Sequence, residues 1–507
     1  MPRRIRSQSL RGNRLRRGMD EAKLYYTKYL SMSNLSERRV RYVFIIIALV
    51  VYVPLWIYTI GVHYSQIKTG FDVEYALPVS GSDSYEYRSL AENLLSKQAF
   101  TFDGSYPETF RVPGYPLFIA GIIFITKSYF GVTLIQILLA GITGYLIFLI
   151  GRKYFNNLVG VISGILYVLN IGVVTHSLVL LSDIPFNFFF IASVYLLLSK
   201  IDQFKSSKYM VLAGAFLGFA ILIRPIAIFT PLLIVGILYL IHRRRLPLAI
   251  FLHNSIIFFL IVVSLFLLPW GMRNYSLTKN FSLSSLSAYN LFHYNIPEYI
   301  SVRDNISAED GRKILEAKLS VDERANQKSL YYSDSLTAVS KQFLKEDFLA
   351  YLAFHVVKTA PFFISSDIVS SIDMYNAFYT DDVNFAHKQA NLSTRIINNE
   401  WGAVYRELID RGGIFFEHIF WLCIVFLSVY AVIKSPYKSG VILFFVLVVY
   451  FAILTGPVSY SRYRLPAIPF LFLLATAGIQ YAYMSIKSGC KKRGLCYDGG
   501  LKSDYRK

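Results

Sequence analysis

The chain has 507 residues, 54% of them hydrophobic and only 17% charged, which is too apolar for an ordinary soluble enzyme. A formal net charge of +20 would suggest nucleic acid if the basic residues formed one face. They do not: twelve Lys/Arg lie in residues 1–41, seven follow Ser485, and most other short basic clusters punctuate apolar blocks, so no nucleic-acid partner is expected.

In chain order, residues 1–41 read as a basic cytoplasmic arm and Arg41 to about Gly61 as an uncleaved signal anchor. Apolar blocks then fall near 114–126, 131–150, 157–177, 184–199, 209–223, 225–241, 249–270, 413–433, 439–455 and 465–484. Residues 114–126 are too short to cross and read as an interfacial helix. With that block lying along the outer surface, the clusters at 152–153, 200–208, 243–245 and 434–438 all fall inside. The 209–241 stretch breaks at Arg224-Pro225, where proline removes a helix donor and disfavours helix just before it.

The expected fold is therefore an all-α integral membrane protein of about ten transmembrane helices. Residues 42–270 hold the first seven, including a catalytic outer region at 63–130. Residues 271–412 form a large, mostly helical outer loop of about 140 residues, with Phe348–Ile364 at the interface. Residues 413–484 hold the last three crossings and 485–507 a basic cytoplasmic tail. Cys423, Cys490 and Cys496 fall in an apolar block and the tail, so no structural disulfide is expected. The implied location is the cell (inner) membrane, with both termini cytoplasmic.

The ionisable residues with chemical potential gather at the outer helix ends. The first outer loop, 63–112, carries 4 basic and 7 acidic residues and opens with Gly81-Ser82-Asp83-Ser84-Tyr85-Glu86-Tyr87. Tyr87, Leu90, Ala91, Leu94 and Leu95 read as one face of an amphipathic surface helix. Asp83 reads either as the N-cap of that helix, with Glu86 completing a capping box, or as a general base at the membrane surface. Arg111 fits an interface anchor or a phosphate ligand. Asp183, before Pro185, fits a helix cap or a catalytic acid. Arg224, Arg273, Arg462 and Arg464 sit at outer helix ends, where positive charge is normally scarce, and suggest a convergent anion site; His355 and Lys358 are further outward-facing candidates for substrate binding. No dense acidic cluster is evident; Asp381-Asp382 read as solvated, so no cofactor is expected, with divalent metal left open.

Asp83 with Tyr87, Arg111-Val112-Pro113-Gly114-Tyr115-Pro116, Ser182-Asp183, Arg224-Pro225, Pro269-Trp270 with Arg273-Asn274, and Arg462-Tyr463-Arg464-Leu465-Pro466 together resemble the membrane-type lipid-linked-sugar glycosyltransferases (the GT-C fold). The likeness is to the bacterial branch of the protein O-mannosyltransferase and aminoarabinose transferase-like family, over roughly residues 40–485. The resemblance implies inverting transfer of a sugar from a polyprenyl-phosphate carrier to a hydroxyl of an envelope glycan, lipid or protein, on the periplasmic or exterior side. It implies a catalytic role for Asp83, with Asp183 orienting the acceptor or assisting, and substrate contacts from Tyr87, Arg111, Tyr115, Arg224, Arg273, Arg462 and Arg464. Relatives often carry Asp-Glu where this chain has Asp83-Ser84. A polysaccharide polymerase or ligase using a pyrophosphate-linked donor, or a lipid-linked-sugar flippase, remains the alternative reading.

Overall fold

The structure is a computed structural model and describes residues 37–68, 81–200, 207–243, 256–371, 412–435 and 438–492. The N-terminal arm before Glu37, the tail beyond 492, Cys496 and Asp381-Asp382 lie outside these residues. Regular structure among the described residues is helical throughout, as expected of an all-α membrane protein.

Helix α1 (Glu37–Lys68) buries Phe44, Ala48 and Tyr52, spaced by four, and shows apolar side chains outward on its other faces. The Tyr52 hydroxyl donates to the Val168 carbonyl at 2.7 Å. Between α1 and the next long helix, α2 (Gly81–Ser96) precedes a connecting segment and α3 (Gly114–Thr126). Ser128 then caps α4 (Tyr129–Tyr154) by accepting from the Phe130 N–H. Next come α5 (Asn157–Leu169) and α6 (Ile171–Ser177), bent by 52° at Asn170, whose side chain accepts from the Val173 N–H. The α4 and α5 backbones touch through glycine: a Cβ on Gly164 would lie 2.5 Å from the Gly144 carbonyl oxygen.

Helices α7 (Asp183–Lys200), α8 (Ser207–Ile223) and α9 (Thr230–His242) follow, with the expected break at Arg224-Pro225 drawn as one tight turn, Pro225–Ala227. Helix α10 (Ile257–Thr278) packs on α8 and carries Pro269 inside it. Beyond it lie α11 (Leu286–Asn290), α12 (Ile296–Asp304), α13 (Ala308–Glu316), α14 (Val321–Ala325), α15 (Ser333–Glu346), α16 (Phe348–Lys358) and α17 (Ala360–Ile364). Helices α12, α13, α15 and α16, with the helical turn at Leu291–Asn295, share a second, smaller core that includes Phe292, Ile296, Ile300, Leu315 and Leu336. A 102° bend after Glu346 turns α16 so that Leu349, Leu352, Val356 and Val357 present a bare apolar face. The chain closes with α18 (Gly412–Lys434), α19 (Lys438–Thr455), the short α20 (Ser461–Arg464) and α21 (Ile468–Lys492).

Among the described residues, six helices are long and apolar enough to cross a membrane, or up to eight if each bent pair is one span. The count of ten expected from the sequence rests further on the shorter apolar helices Asp183–Ser199, Lys208–Ile223 and Pro225–Ile241. One detail of α2 differs from expectation. Tyr87, Leu90 and Ala91 are buried and Leu94 packs beside them, but Leu95 is 41% exposed. It sits one residue past the buried stripe, which a 3.6-residue repeat rotates away from the core.

Candidate active site

The first turn of α2 holds Asp83, with Glu86 three residues on; such a pair shares one helical face. Arg111 fills that face. Its Nη2 lies 2.5 Å from Asp83 Oδ1 and 2.5 Å from Glu86 Oε2, and its guanidinium sits over the Tyr87 and Phe110 rings. The capping-box reading therefore does not hold: Asp83 lies inside the helix and both carboxylates are spent on a guanidinium. The spacing that makes a capping box also lets two acids grip one arginine.

From the far end of the chain, Arg462 in α20 reaches both aspartates. Its Nη1 donates to Asp83 Oδ2 at 2.8 Å and its Nε to Asp183 Oδ2 at 3.2 Å. Arg224 donates to the other oxygen of Asp183. At the opposite end, Lys328 Nζ donates to Glu86 Oε1 at 2.7 Å. The result is one alternating row: Lys328, Glu86, Arg111, Asp83, Arg462, Asp183, Arg224. Four cations flank three anions, so the row as a whole keeps one positive charge.

Exposure ranks its carboxylates. Asp183 is fully buried and the Glu86 side chain is 15% exposed, whereas the Asp83 side chain is 28% exposed and the most open to a ligand. Burial alone would push the Asp83 carboxyl up, but the Arg462 and Arg111 guanidiniums outweigh it and hold it well below the usual carboxylate range.

A glycine contact and a buried polar frame set this geometry. In the turn after Arg111, a Cβ on Gly114 would lie 2.5 Å from the Leu222 carbonyl, so only glycine lets this turn nest on the end of α8 beside Arg224. Tyr115 does not face the row; its hydroxyl donates to Gln136 Oε1 at 2.7 Å, and its ring meets Tyr87 edge-on at 4.8 Å. Gln136 in turn donates to the Ser177 and Val179 carbonyls at 3.1 and 2.8 Å, fixing the strand of chain that leads to Asp183. The Tyr87 hydroxyl lies 3.4 Å from Ser182 Oγ.

Four other candidates lie off the row. Arg273 stacks on Trp270 and donates to the Glu108 carbonyl at 2.7 Å, tying the segment just before Arg111 to α10. His355 Nε2 lies 2.8 Å from the Ile453 carbonyl, joining α16 to α19, while Lys358 donates to Glu298 at 3.3 Å within the segment between α10 and α18. Arg464 is fully buried, 3.5 Å above the Trp421 ring, and donates to Asp367 Oδ1 at 3.0 Å and the Ser365 carbonyl at 2.9 Å. Glu417 holds the same segment by accepting the Asp367 N–H at 2.6 Å.

Sequence reasoning missed Lys328, Gln136 and the Arg464–Asp367 pair. Their signals, a lysine in a long loop and a glutamine or arginine near an apolar helix, are common and carry no spacing that marks a partner. Among the described residues no group of three or more His, Cys, Asp or Glu is placed to hold a metal ion. Between Asp83 and Asp183 the bridging cation is Arg462.

Residues 110–270, under half of the chain, match the model of the family described as dolichyl-phosphate-mannose-protein mannosyltransferase. No curated protein matches the chain. Among solved structures, the chain is similar to the apo oligosaccharyltransferase of Archaeoglobus fulgidus, at 11% identity and a TM-score of 0.48, covering 92% of this chain and 53% of that one. It is similar to the same organism's oligosaccharyltransferase AglB in complex with an inhibitory peptide and a dolichol-phosphate, at 11% identity, TM-score 0.43, and 84% and 49% coverage. A third is ArnT from Cupriavidus metallidurans bound to undecaprenyl phosphate, at 12% identity, TM-score 0.37, and 87% and 79% coverage. The chain thus spans about half the length of the oligosaccharyltransferases it matches. The resemblance expected from the sequence stands: over residues 110–270 this membrane protein carries the signature of the dolichyl-phosphate-mannose-protein mannosyltransferase family.

Proposed function

We propose that this protein is an inverting glycosyltransferase that moves a sugar from a polyprenyl-phosphate carrier to an acceptor hydroxyl at the outer membrane face. The observation that carries the reading is Arg462 joining Asp83 to Asp183, which sets the most open acid of the row among arginines suited to a phosphate. The family match supports a lipid-phosphate donor. Acceptor chemistry stays at the level of a hydroxyl on an envelope glycan, lipid or protein.

The reaction follows from the charges. The donor is a phosphodiester anion, which the residual positive charge of the row attracts. Its oxygens compete with Asp83 for Arg111 and Arg462, and as they win, the carboxylate regains proton affinity. Asp83 then takes the acceptor proton while the acceptor oxygen bonds to the anomeric carbon from the face opposite the leaving group. The bond from that carbon to the phosphate oxygen breaks, and the carrier phosphate leaves with both electrons. Arginines already in place stabilise its growing charge without reorganising. Asp183, fully buried between Arg224 and Arg462, orients those two arginines and does not meet the acceptor.

The deciding experiment is transfer from a panel of polyprenyl-phosphate sugars by purified protein, wild type beside Asp83→Asn, with the anomeric configuration of the product read by NMR. Full activity in Asp83→Asn, or retained configuration, rejects the mechanism.

A further inference from the structure

Among the described residues, the segment between α10 and α18 sends one charged side chain into the row, and its geometry suggests a role beyond docking. Lys328 is held from both sides along the chain. Its own carbonyl accepts from the Ser285 hydroxyl. Two residues on, the Leu330 N–H donates to Thr109 Oγ1 at 3.0 Å, while the Ser285 N–H reaches the Thr109 carbonyl at 3.3 Å. One residue before it, Gln327 donates to Glu316 at 3.0 Å and meets His293 Nδ1 at 3.2 Å. The ammonium is thereby carried over the Phe110 ring, at 5.1 Å, and onto Glu86 Oε1.

Glu86, like Asp83, competes with the donor for Arg111. Its second oxygen accepts from Arg111 Nε at 2.6 Å, on the same guanidinium that holds Asp83. With Lys328 in place, Glu86 shares its charge between two cations. Without it, a full negative charge would bear on Arg111 alone, tightening that arginine away from a phosphate and repelling the phosphate itself. Both effects act on anion binding and neither on the proton transfer.

We infer that Lys328 is a positioning residue for the donor: it neutralises Glu86 so that Arg111 stays available to the carrier phosphate, and it makes that availability depend on the docked state of residues 285–330. This rests on the donor assignment proposed above. The pair is half open to solvent, with the Lys328 side chain 52% exposed, so the effect is of modest size.

The test measures binding of polyprenyl phosphate to full-length protein in nanodiscs, alongside donor KM and kcat. Lys328→Met is expected to weaken binding and raise donor KM about three- to fivefold, the scale of a part-exposed ion pair, with kcat nearly constant. Lys328→Arg should retain wild-type affinity. The discriminating variant is the double substitution Lys328→Met with Glu86→Gln, which removes the unpaired charge and should restore affinity. A purely structural lysine would give no such rescue. Equal binding by Lys328→Met and wild type, or no recovery in the double variant, overturns the inference while leaving the glycosyltransferase reading intact. Failure of wild type itself to bind the carrier overturns both.

Discussion

Arg462 and Asp83 are 379 positions apart in the chain and meet at 2.8 Å. The same guanidinium spans to Asp183 at 3.2 Å, so one side chain from near the C-terminus sets the relation between the two aspartates. Replacing Arg462 with Met should leave Asp83 with Arg111 alone and Asp183 with Arg224 alone. We expect a rise in donor KM together with a fall in kcat, each about tenfold or more, as an oxyanion-stabilising donor requires. Steady-state kinetics over a range of donor concentrations would show whether the two move together.

Asp83→Asn keeps the shape of the side chain and removes the base. Transfer should drop about a hundredfold or more, the range for loss of a general base. Carrier binding should persist or tighten, because an acid that competes for Arg111 and Arg462 has become neutral. Isothermal titration with polyprenyl phosphate, run beside the kinetics, checks the two halves of this expectation.

The depressed proton affinity of Asp83 fixes a pH dependence. In the free enzyme its carboxyl titrates well below the usual carboxylate range, so kcat/KM should hold on the acid side down to the limit of protein stability. Once the donor occupies the guanidiniums, the carboxyl rises toward its ordinary value, so the acid limb of kcat should lie about one pH unit or more above that of kcat/KM. Coincident limbs would mean that the donor does not displace Asp83.

Arg464 belongs to a different arrangement. It is fully buried against Trp421 and Asp367, so Arg464→Ala leaves an uncompensated acid in the interior and should destabilise by about 3–5 kcal/mol. Thermal unfolding in detergent should register that loss, while donor KM of the folded fraction stays at the wild-type value. A raised KM without destabilisation would return Arg464 to the phosphate site.

Chelation is a further check. Since Arg462 already provides positive charge between Asp83 and Asp183, EDTA should leave transfer within about twofold of the untreated enzyme; a guanidinium held between two acids needs no ion to keep them together. Loss of activity on chelation, restored by a divalent cation, would show that the bridge opens to a metal during turnover.

The membrane character, the break at Arg224-Pro225, and the separate helix at 114–126 were legible because each is written locally, in hydropathy or in a proline. The members of the row were nearly all legible as well, since charge at an outer helix end is conspicuous. Their partners were not. Arg462 and Arg464 are two residues apart and indistinguishable by pattern, yet one bridges Asp83 and Asp183 while the other lies in the interior with Asp367. Glu86 was visible but misread, because Asp83-x-x-Glu86 fits a helix cap as well as it fits a two-pronged grip on Arg111. Lys328 was invisible, for its importance comes from where residues 285–330 are tethered and not from its neighbours in sequence.

The order of the charges along the chain has a consequence for assembly. As the polypeptide emerges, Asp83, Arg111, Asp183 and Arg224 arrive first, with Lys328 later and Arg462 last of all. Until α19 and α20 are in place, each aspartate of the row has one arginine partner fewer, and the second oxygen of Asp183 lacks the Arg462 guanidinium that meets it in the folded protein. The final hairpin of the protein therefore acts as a keystone: a nascent chain stopped before residue 462 would hold every other member of the row and still be unable to close it.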